Sequence, residues 1–142
     1  MSAFSGCFSL AMIDLPSNLT SIGDYAFVNR GLVTIDVPEG VTRIGVRAFQ
    51  YNSELAEVVL HDGLSVIDTA VFFACSRMVS ITIPQSVTKI DLNAFYGCSS
   101  VDEIICFATT PPTIVNQNAF NNYDATLNVR ANNIAAYDTF GK

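Results

Sequence analysis

The hydrophobic residues of this 142-residue chain recur with a period of 22 to 25 residues. An Ala-Phe pair or its equivalent marks each period, at Ala3-Phe4, Ala26-Phe27, Ala48-Phe49, Val71-Phe72, Ala94-Phe95 and Ala119-Phe120. An isoleucine precedes four of these pairs at a constant offset, at Ile22, Ile44, Ile67 and Ile90. Self-similarity at this period is typical of stacked repeats, so the pattern indicates a series of equivalent structural units.

A second apolar set follows each Ala-Phe pair and ends in strict alternation, as in Leu32, Ile35 and Val37 or in Met78, Ile81 and Ile83. This alternation predicts one short, half-buried strand in each unit. Proline ends three of the runs, at Pro16, Pro38 and Pro84, where it blocks further ladder pairing. The β-branched segments that end in the four isoleucines predict a second, shorter strand on another face.

A unit of this length cannot bury its apolar side alone, so successive units must stack as the coils of a solenoid. Parallel pairing would place equivalent strands about 4.8 Å apart. We therefore expect the phenylalanines to form a continuous aromatic spine, with the small alanines leaving room for the turn beside them.

One column of small polar residues contains cysteine in some units and asparagine in others. Counting three residues back from the first apolar residue of each strand assigns Cys7, Asn29, Asn52, Cys75 and Cys98 to this column. Both side chains can bond to the backbone of a buried turn, which explains the exchange better than catalysis or zinc binding does. A disulfide between Cys75 and Cys98 on adjacent coils stays open as an alternative.

The pattern L-x-x-I-x-I-P-x-x-V-T-x-I-G-x-x-A-F-x-x-C, matched by residues 32–49 and 78–98, resembles the BspA-type or Treponema pallidum type of leucine-rich repeat. The resemblance implies a leucine-rich repeat solenoid, a right-handed β/α superhelix of short parallel strands and short helical turns, with five to six coils of 22–23 residues. It implies a repeat domain over residues 1–120 and a capping segment over residues 121–142. Because the chain opens within a unit, we expect further coils upstream.

The charge and composition of the chain argue against two classes of binding partner. The net charge is −6 and only seven residues are Lys or Arg, which argues against binding nucleic acid or an anionic membrane surface. No stretch approaches the roughly 20 apolar residues of a membrane-spanning helix. Half of the residues are hydrophobic and 14% are charged, which suits a continuous interior.

Residues with catalytic or metal-binding chemistry are sparse. The only histidine, His61, lies near Asp62 and Asp68, but no nucleophile stands at a recognisable spacing, so the chain is predicted not to be an enzyme and to need no metal or cofactor. His61 also takes the place of a proline, either through drift of the repeat or as part of a functional patch. Carboxylates on the strand face leave calcium binding open beside a simply acidic, solvated face, and Asn18 begins an N-glycosylation sequon.

The predicted binding surface is the outward side of the first strands. Its two columns contain Met12, Thr34, Glu57, Ser80 and Glu103, and Asp14, Asp36, Val59, Thr82 and Ile105. Stacked strands turn such columns into a wide face that solenoids use for protein ligands. The resemblance implies a secreted or cell-surface module that adheres to host cells or to matrix proteins such as fibronectin or fibrinogen. The alternative is a rigid spacer that presents another domain.

Overall fold

The structure is a computed structural model that describes residues 11–120 and 126–129, and all structural statements concern these residues. Two strands recur in each coil and form two columns. The long-strand column contains β2 (Thr34–Asp36), β4 (Glu57–Val59), β6 (Ser80–Ile83), β8 (Glu103–Cys106) and β10 (Thr126–Val129). The short-strand column contains β1 (Ser21–Ile22), β3 (Arg43–Ile44), β5 (Val66–Ile67), β7 (Lys89–Ile90) and β9 (Thr113–Ile114).

All strand pairs are parallel, with the register that the repeat predicts. Ile22 lies opposite Ile44, Ile35 opposite Val58, and Ile81 opposite Ile104. The described residues make four turns of the solenoid from β1 to β9, and the first of the five to six predicted coils falls largely on residues outside them. The prediction of a leucine-rich repeat solenoid is confirmed.

The Ala-Phe segments differ from the predicted helical turns. The described segment before Phe120 is a 3-10 turn. The other four described segments are tight turns that each contain two residues with positive φ, such as Arg47 and Tyr51 at 56° and 63°. Between these residues the chain closes hydrogen bonds three residues apart, as from Gln50 N to Arg47 O. Positive φ interrupts a right-handed helix, which is why the only helix of the described part is the 3-10 turn Gln117–Ala119.

Hydrogen bonds join the Ala-Phe segments of all neighbouring described coils. Phe27 N donates to Ala48 O at 2.7 Å, Phe72 N to Ala94 O at 2.8 Å and Phe95 N to Ala119 O at 2.8 Å. In each bond the N–H belongs to the earlier coil and the carbonyl to the later one. The segments that the sequence predicts as turns therefore form an unbroken ladder.

The predicted aromatic spine is confirmed beside this ladder. Neighbouring rings of Phe27, Phe49, Phe72, Phe95 and Phe120 stack with centroids 5.3 to 5.5 Å apart and planes within 4° to 13° of parallel. The rings of Phe49 and Phe72 are fully buried. Stacked aromatic pairs contribute about 0.5–1.5 kcal/mol each beyond the area they bury, so the spine ties every described coil to the next.

The two strand columns are interrupted at the third coil, which runs from β4 to β5. β4 pairs with β2 of the coil before and β5 pairs with β7 of the coil after, but β4 does not pair with β6, nor β3 with β5. The connecting turn differs from its neighbours. Val41 N and Val87 N close their turns onto Pro38 O and Pro84 O, whereas the described structure has no equivalent bond in the turn that begins with His61.

Gly63 and the neighbouring coil account for this change. Gly63 has a φ of 118°, and its N–H donates to Ser86 Oγ at 3.0 Å. Ser86 N in turn donates to Asp62 Oδ1 at 3.3 Å. The third coil is thus bonded to the earlier coil at β4 and to the later coil after His61, which opens a seam between β4 and β6.

The predicted polar column requires one correction. Asn29 is exposed with a φ of 54°, and Arg30, which is 7% exposed, takes the buried position three residues after Phe27. The second coil lacks one residue after Arg30 and not before it. Leu32 follows Arg30 by two residues, whereas the equivalent Leu55 follows Asn52 by three. Cys7 lies outside the described residues.

The predicted hydrogen bonds of the remaining column members are confirmed. Asn52 Nδ2 donates to Phe27 O at 2.7 Å, Cys75 Sγ to Phe49 O at 3.4 Å and Cys98 Sγ to Phe72 O at 3.2 Å. Cys75 and Cys98 are free thiols, so the structure does not contain the alternative disulfide. Burial raises the pKa of Cys75 well above its ordinary value and that of Cys98 to about 12.

Candidate ligand-binding face

Eight of the ten residues of the predicted binding surface lie on the outward side of the long strands, as the alternation predicts. Thr34 lies opposite Glu57, Asp36 opposite Val59, Ser80 opposite Glu103, and Thr82 opposite Ile105. Asp36 and Glu57 are exposed, and the other residues of these pairs are partly exposed. Met12 and Asp14 are also exposed, but the segment that contains them is not a strand.

The seam divides these residues into two patches. We call Thr34, Asp36, Glu57 and Val59 the first patch, and Ser80, Thr82, Glu103 and Ile105 the second patch. Each patch is held by its own parallel ladder, and no strand pairing joins them within the described residues. β10 extends the ladder of the second patch, where Asn128 Nδ2 donates to Glu103 Oε1 at 2.6 Å. The rest of the predicted capping segment lies outside the described residues.

Some carboxylates outside the two patches are paired with Lys or Arg side chains, whereas among the described residues those of the patches are not. Arg43 pairs with Asp24 at 2.8 Å and Arg77 with Glu54 at 2.6 Å, both outside the patches. In the described part of the chain no Lys or Arg forms a salt bridge with a patch residue, and Asp36 instead contacts His61 Nε2 at 2.9 Å. The outward face is therefore acidic and keeps its charge available to a ligand.

The described part of the chain has no group of three or more His, Cys, Asp or Glu side chains that could hold a metal ion. Calcium prefers six to eight oxygen ligands. The carboxylates of the face are distributed along the columns, which suits contact with an extended partner better than coordination of one ion.

A cavity of about 320 Å³ opens at the seam. Its walls include Leu60, His61, Asp62, Thr82, Pro84 and Phe107. A second cavity of about 10 Å³ lies deeper, between Val58 and Ile81, and shares Leu60 and Thr82 with the first. That volume holds about one water molecule, so the seam is wide at the surface and almost closed inside.

Sequence reasoning placed only Thr82 of this cavity on the candidate face. The sequence carries a signal for three other walls in the column of residues that follow the long strands. This column contains Pro16, Pro38, His61, Pro84 and Phe107. The two departures from proline are both cavity walls. His61 was recognised as a departure, whereas Phe107 was missed because its strand ends in Cys106 and lacks the usual aliphatic residue.

The sequence was compared with known protein families and with solved structures. Residues 1–102 match the BspA type leucine-rich repeat region in six copies. The chain belongs to the BspA-type leucine-rich repeat family. No curated protein matches the chain. The family assignment agrees with the parallel pairing of equivalent residues in the strand columns.

Solved structures of other leucine-rich proteins have the same fold. A leucine-rich cell surface protein from Faecalibacterium prausnitzii is 25% identical with a TM-score of 0.69, and the match covers 86% of this chain and 33% of that protein. The leucine-rich repeat protein of T. pallidum is 25% identical with a TM-score of 0.60, over 84% of this chain and 49% of its own. A Bacteroides ovatus leucine-rich repeat protein, 22% identical with a TM-score of 0.56 over 90% of this chain and 51% of its own, shows the fold alone.

This BspA-type chain thus spans between a third and about half of those structures. In the described residues no helix is long and apolar enough to cross a membrane. The family and the fold indicate a repeat module of the kind that binds proteins or serves at a surface.

Proposed function

We propose that the chain is a non-catalytic protein-binding module of a secreted or cell-surface BspA-type protein. The observation that carries this proposal is the acidic outward face, where Asp36 and Glu57 stand exposed on a parallel ladder and form no salt bridge with a Lys or Arg of the described residues. A preorganised face binds with a smaller loss of conformational entropy than a mobile one. The description of the Faecalibacterium prausnitzii protein as a cell surface protein supports the location.

Adhesion to host cells or to the extracellular matrix is the finer form of the proposal, with fibronectin and fibrinogen as the first ligands to test. The net charge of −6 favours a ligand with basic surface segments over a nucleic acid or an anionic membrane. Complementary charge would raise the association rate and make it dependent on salt.

The test is binding of the purified chain to immobilised fibronectin and fibrinogen, beside the variant Asp36→Lys, Glu57→Lys, Thr82→Lys. A control variant, Glu39→Lys, Glu54→Lys, Thr42→Lys, makes the same change in net charge at exposed residues outside both patches. We expect saturable binding that the first variant loses and the control retains. An equal loss of binding in both variants would show that the interaction depends on net charge alone and not on the patches. If neither the native chain nor the variants bind, adhesion to these ligands is contradicted.

A rigid spacer is the second candidate, and the aromatic spine favours it. The Ala-Phe ladder and the stacked rings run through all described coils and do not depend on the outward residues. A spacer predicts that substitutions on both patches leave the function of the parent protein unchanged. Cell adhesion by the parent protein carrying the patch variant separates the two functions.

A further inference from the structure

The cavity at the seam combines an apolar wall with an acidic rim. Leu60, Pro84 and Phe107 supply the apolar side, and the Phe107 side chain is exposed enough, at 42%, to be contacted from solvent. Asp62 supplies an exposed carboxylate whose only bond in the described structure is the one it accepts from Ser86 N. An aromatic ring and a carboxylate in the walls of one cavity are a combination that selects for an amphipathic cation.

The size of the cavity limits what can enter it. Binding sites for small molecules usually occupy about 300–1,000 Å³, so a cavity of about 320 Å³ is at the low end of that range. It suits one long side chain of a protein partner better than a complete cofactor. The seam walls do not include Lys or Arg, so the cavity lacks a cation of its own among the described residues.

Arginine fits these walls in particular. Its planar guanidinium stacks on an aromatic face and pairs with a carboxylate through two hydrogen bonds, while its methylene stem packs on aliphatic surface. Lysine offers a compact, strongly hydrated charge that gains less from the ring of Phe107. An anionic group would face Asp62 at the rim and Asp36 beside His61.

We propose that the seam cavity receives an arginine side chain of the protein ligand, with its stem on Leu60 and Pro84 and its guanidinium between Phe107 and Asp62. This inference rests on the proposed function, because it names the group by which a protein ligand engages the outward face. The departures of His61 and Phe107 from the proline column are then parts of a binding site.

The test does not require the natural ligand. Blocked arginine amide (N-acetyl-L-argininamide) is titrated into the isotopically labelled chain and followed by amide chemical shifts, beside the neutral isostere N-acetyl-citrulline amide. We expect saturable shifts at residues 60–63, 82–85 and 107 with the arginine probe and none with the citrulline probe. Asp62→Asn keeps an acceptor for Ser86 N and removes only the charge, and we expect it to weaken Kd by about fivefold.

Two further variants make the result specific. Phe107→Ala should abolish the saturable shifts, and Asp102→Asn, which removes an exposed carboxylate outside the cavity, should leave Kd unchanged. Far-ultraviolet circular dichroism verifies that each variant is folded. Equal shifts with the citrulline probe, shifts outside the seam, no shifts, or a Kd that Asp62→Asn leaves unchanged would overturn the inference.

Failure of the inference is distinguishable from failure of the proposed function. If fibronectin or fibrinogen binds and the patch variant loses binding while the arginine probe shows no effect, the function stands and the cavity inference falls. If the probe binds in the seam and neither matrix protein binds, the cavity inference stands and adhesion to those two proteins falls.

Discussion

Replacement of Asn52 by alanine is expected to destabilise the solenoid more than any comparable change in the same column. Asn52 is fully buried, and its side chain makes four hydrogen bonds. Its Oδ1 accepts from Arg30 N at 3.0 Å and from Leu32 N at 3.2 Å. Its Nδ2 donates to Phe27 O at 2.7 Å and to Phe49 O at 2.8 Å.

The second coil explains why an amide is needed at this position. In full-length coils the first apolar residue closes the turn onto the polar column, as Leu55 N does with Asn52 O at 3.0 Å and Met78 N with Cys75 O at 3.2 Å. The second coil is one residue short, so Leu32 N cannot close the same turn with Arg30 and bonds to Asn52 Oδ1. A thiol at position 52 would not supply an equivalent acceptor, because sulfur accepts hydrogen bonds weakly.

The magnitude follows from the groups that lose their acceptor. Asn52→Ala deprives two buried amide donors of Oδ1, at about 1–3 kcal/mol each, for a total of about 2–6 kcal/mol. Cys75→Ala is the matched control, since Phe49 O loses the thiol but still accepts from Asn52 N. We expect that control to cost about 1–2 kcal/mol, mostly through the lost volume.

The assay is urea unfolding followed by far-ultraviolet circular dichroism for the native chain and both variants. A third variant inserts one serine between Arg30 and Gly31, which restores a full-length coil and lets the turn close without Asn52. In that background the cost of Asn52→Ala should fall towards that of Cys75→Ala. Equal costs for the two alanine variants, or a cost of Asn52→Ala that the insertion leaves unchanged, would refute the explanation.

Three further predictions follow from contacts within the solenoid. Gly45→Ala should lower the free energy of unfolding by about 1–3 kcal/mol because the added methyl group would meet the backbone of Asp24, whereas Gly23→Ala adds a methyl group that meets nothing within 4 Å and should change it little. Thermal unfolding compares the two variants, and an equal loss of stability in both would contradict the packing. Cys75 and Cys98 should react with iodoacetamide at mildly alkaline pH only after denaturant is added, because burial raises both pKa values; mass spectrometry locates the label, and labelling in the native state would contradict the burial. The hydrogen bond from Arg43 lowers the pKa of Asp24 below 3.8, so the stabilisation by the Asp24 carboxylate is complete above pH 3.8 and is lost as the pH falls through the lowered pKa. Asp24→Asn should therefore flatten the decline in stability measured by unfolding below about pH 4. An unchanged decline would contradict this.

The sequence predicted the features that depend on repetition. Columns of equivalent residues such as the phenylalanines and the alternating strand residues have one environment in every coil, so their spacing was enough to predict the spine, the parallel register and the outward face. The same reasoning placed the cysteines in a column bonded to backbone carbonyls. Their burial and bonds follow from their position relative to the phenylalanines.

The features that it could not predict arise where one coil differs from the next. Asn29 was misplaced because the missing residue of the second coil can be aligned on either side of Arg30, and only the buried position three residues after Phe27 decides between them. The seam depends on the φ of Gly63 and on its coil's hydrogen bonds with Ser86, which are contacts between coils that no single repeat encodes. The cavity at Phe107 follows from that seam.

The ladder of the Ala-Phe segments also gives the solenoid an electrical polarity. In an ordinary parallel sheet the peptide dipoles alternate in direction and largely cancel. Here Tyr25, Phe27 and Asn29 all direct their N–H groups towards the carbonyls of the following coil, the next two coils repeat this arrangement, and Phe95 continues it. Each aligned peptide contributes a dipole of about 3.5 D, so the moment increases with every coil, positive towards the carboxyl-terminal end, the reverse of the sense in an α-helix.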